Sequence, residues 1–492
     1  MKMTFTNQLK ISALSIAVLA AVSCGDKQPA SNGTQIDLKP QTQVTTEATN
    51  DVAPVPLSPE VKTLTDLALN GHYGYDITRS LTTEVGARLA GSRQEMMARR
   101  WAVAKFRELG FKNIKTEEFM IDGWARGVET AKLIKPSQQN LYVTALGGSV
   151  ATPPSGVKAD VVYFATFEDL KAAPAGGLDG KIVYISGGME KARDGAGYGP
   201  ANQRRRNGAT EAAKRGAAAV LIRSVGTDSH RFPHTGQMGY DPDVKKIPIG
   251  AISNPDADQL DRIFATGKEV VINLRLGTRD LGPKKSGNVM AEIVGTEKPE
   301  EIILIGAHLD SWDLGTGAID DGAGVGIVMG AGKVLMDSGL KPKRTIRIVL
   351  FGSEEIGLKG GFAYAEQHKD TDLSQHILAT ESDFGASKIY GLQTGKTEAN
   401  KAAVRAMAPE FEFLDIALRD GESTGGPDII PLEAQGVPTM RLNQDGYDYF
   451  DLHHTPDDTF DKIDPDAMAQ NVAAYAALIW LASESDSNFK DK

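Results

Sequence analysis

The sequence predicts an α/β fold with three layers, in which a mostly parallel sheet has helices on both faces. Strand-like segments at residues 288–294, 301–307, 345–351 and 376–380 alternate with stretches that have helical periodicity. This alternation is typical of parallel strands joined by crossover helices. The run at 302–307 is continuously aliphatic, which indicates a strand buried on both faces.

Capping residues mark where several helices begin and end. Ser58 precedes a proline and a glutamate, so we expect it to be the N-cap of a helix. A second helix is expected over 93–109, where Gly110 ends it. The last helix is expected over 464–483, with Asp464 as its N-cap.

The length and composition indicate a globular chain of two or three domains, since 41% of its 492 residues are hydrophobic and 24% are charged. The net charge of −10 argues against nucleic acid as a partner, because phosphate contacts need clustered Lys and Arg. Between residues 140 and 280 the pattern changes to short strands and turns, with one helix near 208–215. We interpret 140–280 as a small inserted α/β domain, which divides the main domain into segments 58–139 and 281–486.

The N-terminal residues resemble an export signal. Two lysines precede an apolar stretch over 11–22 that is too short to span a bilayer. The stretch ends in Ala-Val-Ser-Cys24, which resembles the lipobox of bacterial lipoproteins. Residues 1–23 are therefore interpreted as a signal peptide, and Cys24 as the lipidated residue that holds the protein to a membrane.

The segment at 24–57 is rich in Gln, Thr, Ser and Pro and is expected to be a flexible tether. Together with the lipid anchor it predicts a bacterial cell-envelope lipoprotein, in the outer membrane or facing the periplasm. Cys24 is the only cysteine, so no disulfide can form within the chain. A metal bound by this chain would therefore need nitrogen and oxygen ligands.

Charged side chains follow the buried strand at 302–307. His308 and Asp310 lie two residues apart, so in extended chain Asp310 could accept the free ring N–H of His308. Asp320 and Asp321 then precede an apolar, glycine-rich helix. One of these aspartates could be only the N-cap of that helix, but two adjacent aspartates cannot both cap it.

Two further strands also end in acidic residues. Glu354 and Glu355 follow the strand at 345–351, and Asp383 follows the strand at 376–380. Adjacent carboxylates repel each other, so a pair at a buried strand end indicates a compensating cation, although a solvated surface pair is an alternative.

Two of the eight histidines, His453 and His454, lie in a loop before the final helix. All these groups can meet at the carboxyl edge of one sheet, where α/β proteins bind ligands. One bridging carboxylate, with a histidine and a carboxylate for each ion, is the ligand count of a two-metal hydrolase. The chain has no HExxH motif, which excludes the single-zinc site carried on a helix.

The pattern resembles the metallopeptidases of family M28. The residues that carry the resemblance are HLDSWDLGTGAIDDGAG from His308, SEE at 353–355, ESD at 381–383 and HHTPDDT from His453. Three further motifs extend it from about residue 64 to the end of the chain: VGARLAGS at 85–92, EAAKRGAAAVLIRSV at 211–225 and PHTG at 233–236.

The resemblance implies an aminopeptidase-like zinc exopeptidase core with two zinc ions, and an insert of the protease-associated (PA) type. The implied ligands are the bridging Asp320, then His308 and Asp383 on one ion, and Glu355 and His454 on the other. Glu354 would be the general base. Many relatives have a tyrosine where this chain has His453, so we assign His453 as the donor to the developing oxyanion.

We therefore expect a zinc-dependent exopeptidase or dipeptidase that hydrolyses dipeptides or short peptides with a water activated by two metals. Other M28 amide chemistry, such as N-terminal glutamine cyclisation, is one alternative. A non-catalytic binding module is another, but a chain that keeps every ligand and Glu354 argues against it. The sequence leaves open which peptide terminus must be free, whether Mn or Co replaces zinc, and whether the protein is a homodimer.

Overall fold

The computed structural model describes residues 57–491, and sixteen strands lie in this part of the chain. In chain order they are β1 (Lys112–Ala125), β2 (Glu129–Lys135), β3 (Gln139–Leu141), β4 (Val143–Ala145), β5 (Val157–Phe164), β6 (Ile182–Ile185), β7 (Ala219–Arg223), β8 (Ile249–Ile252), β9 (Val271–Leu276), β10 (Arg279–Ile293), β11 (Lys298–His308), β12 (Arg344–Phe351), β13 (His376–Glu381), β14 (Ile389–Thr394), β15 (Ala417–Glu422) and β16 (Met440–Gln444).

Twelve α-helices occur in the same range. They are α1 (Pro59–Leu69), α2 (Tyr73–Glu84), α3 (Arg93–Leu109), α4 (Phe167–Ala172), α5 (Tyr198–Ala213), α6 (Asn254–Phe264), α7 (Ala323–Asp337), α8 (Lys359–His368), α9 (Glu398–Met407), α10 (Ile430–Glu433), α11 (Tyr449–Leu452) and α12 (Pro465–Glu484). None of the helices among the described residues is long and apolar enough to cross a membrane. The predicted signal peptide and Cys24 lie outside the described residues.

The main sheet has five strands in the order β1-β10-β12-β11-β13. β11 pairs in parallel with both β12 and β13, whereas β10 pairs antiparallel with β1 and β12. A three-stranded sheet, β15-β14-β16, is linked to β13 by a bridge between Ala379 and Thr439. The predicted α/β class is confirmed, and the antiparallel part of the main sheet is formed by β10 with its two neighbours, β1 and β12.

Side chains alternate along β11 between two hydrophobic cores. Ile303, Ile305 and Ala307 pack in the larger core, which includes residues of α1, α2, α3, α7 and α12. Leu304 faces the opposite core, which contains residues of α8 and α10. A continuous aliphatic run is required because neither face meets water, and each buried Ile or Leu contributes about 1.5–3 kcal/mol. This burial fixes the strand that ends at His308.

A second sheet has eight strands in the order β3-β2-β9-β5-β6-β7-β8-β4, all between Glu129 and Leu276. Side chains of α6 pack on one side of it and side chains of α5 on the other. β2 and β3 join this sheet although both begin before residue 140. The insert at 140–280 as a separate domain of the protease-associated type stays a prediction.

Several element boundaries differ from the predicted ones. β10 begins at Arg279, well before 288, because its first half pairs with β1 in an exposed part of the sheet, where its polar residues lack the pattern of a buried strand. α5 begins at Tyr198 rather than near 208. The Asp464 cap is confirmed, since its Oδ1 accepts from the Ala467 N–H at 2.8 Å. Ser58 makes no capping bond, because its hydroxyl donates to Glu410 instead.

Candidate metal centre

The carboxyl ends of β11, β12 and β13 bring the predicted polar residues to one edge of the main sheet. His308 is the last residue of β11 and is paired with Phe351, the last residue of β12. Glu354 and Glu355, which follow β12, are therefore near His308. Asp383 follows β13 on the other side of β11. The turn at Ala318–Gly322 and the loop after α11 add the remaining groups.

Asp320 lies between two imidazole rings. Its Oδ1 is 3.1 Å from His308 Nε2, and its Oδ2 is 3.2 Å from His454 Nε2. All three side chains are buried, with residue exposures of 4%, 1% and 7%. A carboxylate with one oxygen towards each ring has the geometry of a bridging ligand.

Two more carboxylates lie at the outer ends of this arrangement. Asp383 Oδ1 is 3.6 Å from His308 Nε2, and Glu355 Oε2 is 3.0 Å from His454 Nε2. Metal-compatible groups with ligand atoms within 4.8 Å of one another include His308, Asp320 and Glu355; His308, Asp321 and Asp383; and Asp320, His453 and His454. The structure therefore brings together all five predicted metal ligands.

This set of donor atoms fits a divalent metal such as zinc. It offers only imidazole nitrogens and carboxylate oxygens, which zinc binds readily. Glu355 Oε1 is buried and has no hydrogen-bond partner among the described residues. Buried charged atoms without partners are costly, and a bound cation would supply the missing interaction.

The electrostatics of the site point the same way. Burial raises the pKa of Glu354 well above its ordinary value; His308 opposes this, and the carboxylates of Asp383 and Glu355 raise it further. Burial also opposes ionisation of Asp320, but its contacts with His308 and His454 outweigh burial and hold its pKa well below the usual range. The cluster thus has an excess of carboxylates that positive charge would stabilise.

The backbone of Asp310 orients His308. The Nδ1 of His308 is 3.0 Å from the Asp310 carbonyl oxygen, so donation to that oxygen leaves Nε2 facing Asp320. The expectation that the Asp310 carboxylate accepts this proton needs correction, because its Oδ1 is 3.7 Å away and accepts from the Glu354 N–H at 3.0 Å. β11 ends at His308, so the extended geometry that would align the two side chains does not continue.

Asp321 has a structural role beside Asp320. Its Oδ1 accepts from the Gly324 N–H at 3.1 Å in the first turn of α7, and its Oδ2 accepts from the His308 N–H at 3.0 Å. One aspartate of the pair therefore caps the helix while the other faces the two rings.

Sequence reasoning did not assign roles to two further residues that support the site. Asp458 Oδ1 accepts from the backbone N–H groups of Ala318 and Ile319, each at 2.7 Å, and so holds the turn that carries Asp320. Arg88 is fully buried and donates to the carbonyl oxygens of Leu309, Thr316 and Gly317. Both lie in motifs that carry the family resemblance, which was the available signal.

His453 is buried beside His454, one of the predicted ligands. Its ring stacks on that of His454 with centroids 3.4 Å apart, and it meets Tyr198 of α5 edge-on at 5.3 Å. Its Nε2 is 3.6 Å from Asp320 Oδ2, and its Nδ1 has no partner among the residues described. Burial, together with the neighbouring His454, holds its pKa well below the ordinary value, so the ring is neutral.

The fold and the site define a metallopeptidase, and comparison with known proteins gives its family. Residues 288–479 match the model of peptidase family M28. Mouse carboxypeptidase Q is 35% identical over 430 residues, which cover 86% of this chain and 89% of that protein. The chain belongs to peptidase family M28.

Solved structures agree with this assignment. The crystal structure of a peptidase M28 precursor from Shewanella amazonensis SB2B is 49% identical, covers 87% of this chain and 96% of that one, and superposes with a TM-score of 0.85. A zinc aminopeptidase from Bacillus subtilis shares the fold at 22% identity and a TM-score of 0.61, over 82% of this chain and 93% of that one.

These findings confirm the predicted family and the predicted α/β class, and within the family the chain is similar to carboxypeptidase Q over most of its length. They also confirm a metal-dependent hydrolase that acts on peptide bonds as an exopeptidase. The roles of individual residues stay predictions.

Proposed function

We propose that this exopeptidase hydrolyses dipeptides or short peptides at a centre that holds two zinc ions. The single observation that carries the proposal is the position of Asp320, with one carboxylate oxygen towards His308 and the other towards His454. A carboxylate shared in this way suits two adjacent cations better than one.

Five side chains would hold the ions. His308 and Asp383 would complete one site, Glu355 and His454 the other, and Asp320 would bridge them. Zinc bound there would polarise the peptide carbonyl and make a water molecule more acidic.

Glu354 has the position of the general base. It follows β12 next to the proposed ligand Glu355, yet it is only partly buried by its neighbours and takes part in no ion pair among the described residues. In the proposed reaction its carboxylate accepts a proton from the attacking water and delivers it to the nitrogen of the leaving amine. Asp310 fixes the backbone of Glu354 through the hydrogen bond to its N–H.

His453 is proposed to donate a hydrogen bond to the oxyanion that forms from the peptide carbonyl. The neutral ring of His453 has one N–H. Because Nδ1 has no hydrogen-bond partner among the described residues, either ring nitrogen can carry the proton. The 3.6 Å approach of Nε2 to Asp320 also makes His453 a candidate metal ligand, so metal content and turnover must be measured separately.

The enclosure of the site supports a short substrate. His308, Asp320, Glu355, His453 and His454 are each less than 8% exposed. A short peptide with free ends can approach such enclosed groups more readily than the backbone of a folded protein can.

A dipeptide panel with free, N-acetylated and C-amidated ends, assayed with and without chelator, tests the proposal. Hydrolysis of the free dipeptide should stop after chelation and return when zinc is added. Hydrolysis that continues after the metal has been removed would contradict the proposal, and release of a cyclised N-terminal glutamine without hydrolysis would favour the cyclase alternative.

Attachment to the cell envelope through a lipid on Cys24 is a further part of the proposal. It is supported by the apolar stretch that ends in Ala-Val-Ser-Cys24 and by the lack of any other cysteine in the chain. The polar residues after Cys24 would give the catalytic domain reach from the membrane.

A further inference from the structure

We infer that His234 and Asp228 are positioning residues for the metal ligand His454, so that zinc affinity on the Glu355 side depends on a loop of the second sheet. The inference rests on the proposed two-zinc function. Both residues lie in the segment between β7 and β8, far from the ligand loop in sequence.

His454 has a backbone conformation that needs support. Its φ of 63° lies in the left-handed region, which is unfavourable for a residue with a Cβ. The peptide groups on both sides of it are held by the second-sheet segment. The carbonyl oxygen of His453 is 2.7 Å from His234 Nδ1, and that of His454 accepts from the Thr235 N–H at 3.1 Å.

The same segment orients the His454 ring. Its Nδ1 is 3.3 Å from the Thr235 carbonyl oxygen, so donation there places the proton on Nδ1 and leaves the Nε2 lone pair towards Asp320 and Glu355. Arg205 Nη1 is also 3.5 Å from His454 Nδ1. Arginine can only donate hydrogen bonds, so it cannot be the acceptor for a proton on Nδ1.

His234 is held in turn by Asp228. Its Nε2 is 2.6 Å from Asp228 Oδ1, and neither side chain is exposed. The His453 carbonyl oxygen and the Asp228 carboxylate are both acceptors, one facing each ring nitrogen of His234, so the ring is held between them. Asp228 also accepts from Asn254 Nδ2 at 3.0 Å and from the His230 N–H at 2.8 Å, which fixes its orientation.

Gly226 leaves room for this ring. A Cβ at residue 226 would lie 2.2 Å from His234 Cε1 and 2.3 Å from Nε2, closer than packed atoms approach. Gly226→Ala therefore moves the imidazole without removing it, and its backbone lies outside the left-handed region, so the added methyl group itself causes no backbone strain.

Two substitutions of His234 separate a positioning role from a packing role. The amide nitrogen of Asn lies near the place of Nδ1 and can still donate to the His453 carbonyl oxygen, whereas that of Gln lies near Nε2 and can reach only Asp228. Both remove the ring. A packing role would affect them alike, and a positioning role would affect Gln more.

The experiment measures zinc affinity by competition with a coloured chelator on the purified full chain, a readout independent of turnover. We expect His234→Gln and Gly226→Ala to weaken one of two zinc sites about 10–100-fold, as outer contacts of ligand histidines commonly do. His234→Asn should stay within a few-fold of wild type, and circular dichroism should show that all the chains are folded.

Equal affinity in His234→Gln, His234→Asn and wild type would overturn the inference, as would equal weakening of both zinc sites. If the His234 variants do not fold, a Gly226→Ala variant that binds zinc as tightly as wild type would also overturn the inference. A wild-type chain that binds no zinc would instead overturn the proposed function, so the two failures can be told apart.

Discussion

The carboxylate of Asp310 accepts a hydrogen bond from the backbone N–H of Glu354 at 3.0 Å, and this contact separates the tasks of two adjacent glutamates. It fixes the peptide group that precedes Glu354, which is partly buried, while the carboxylate of the next residue, Glu355, lies 3.0 Å from His454. Neighbouring residues of the same type can therefore be tested against each other.

Glu355→Ala should lose zinc as well as activity, because it removes a ligand. Glu354→Gln should keep its zinc and lose about a hundredfold to ten-thousandfold in turnover, which is the usual contribution of a general base. Metal analysis beside kinetics on both purified variants checks this, and equal metal loss in the two would show that the roles are assigned wrongly.

His453→Phe keeps a ring of similar size and deletes the donor. If His453 stabilises the oxyanion, turnover should fall about a hundredfold or more with little change in ground-state binding. Zinc content decides the interpretation. Normal zinc with turnover within a few-fold of wild type would remove the oxyanion role, and lost zinc would make His453 a ligand.

Asp458→Ala should destabilise the turn that carries Asp320. It leaves the buried N–H groups of Ala318 and Ile319 without an acceptor, at about 1–3 kcal/mol for each. Asp458→Asn keeps one acceptor oxygen and is the matched control. The thermal unfolding midpoint and the zinc content should both fall in the order wild type, Asn, Ala, and an Ala variant as stable as the Asn variant would contradict this account.

His368 should make stability depend on pH far from the metal centre. Burial alone would lower its pKa, but hydrogen bonds to Asp372 at 2.5 Å and Glu117 at 3.0 Å raise it to about 9. Because the folded pKa lies above the ordinary 6.5, this stabilisation is complete below about pH 6.5 and is lost as the pH rises through 9. The difference in unfolding midpoint between wild type and His368→Gln should be largest at pH 6 and shrink by pH 9.5; a constant difference would refute the linkage.

Cys24→Ser should leave the precursor unlipidated and uncleaved at that position, because the thiol is the acceptor and no other cysteine can replace it. Mass spectrometry of the membrane fraction would detect the lipid on wild type. A serine variant recovered with lipid attached would exclude the lipoprotein assignment.

Much of the fold and the site could be predicted because local patterns carry it. The aliphatic run of β11 has to be buried on both faces, and an abrupt change from Ala307 to His308 marks a strand end. Residue types at these strand ends indicate where a metal site would lie, whereas the choice of Asp320, Glu355 and His454 as ligands comes from the resemblance to family M28 and stays a prediction.

The rest depends on contacts between distant parts of the chain. His234 and His453 are 219 positions apart, and Arg88 meets Gly317 across 229 positions, so no spacing in the sequence links them. The role of Asp310 could not be predicted for another reason. The turn after β11 places its carbonyl oxygen, rather than its carboxylate, next to His308 Nδ1, and the strand pattern does not extend into that turn.

The register of the main sheet limits which changes in chain length the protein can tolerate. His308 is paired with Phe351, and Gly306 with Glu381, so three strands deliver their last residues to the metal centre at matched heights. Deleting one residue within β11 would turn every following side chain to the opposite face and remove His308 from the site. Changes in length should therefore be confined to places such as the exposed turn at Gly176, between α4 and β6, where extra residues would point into solvent.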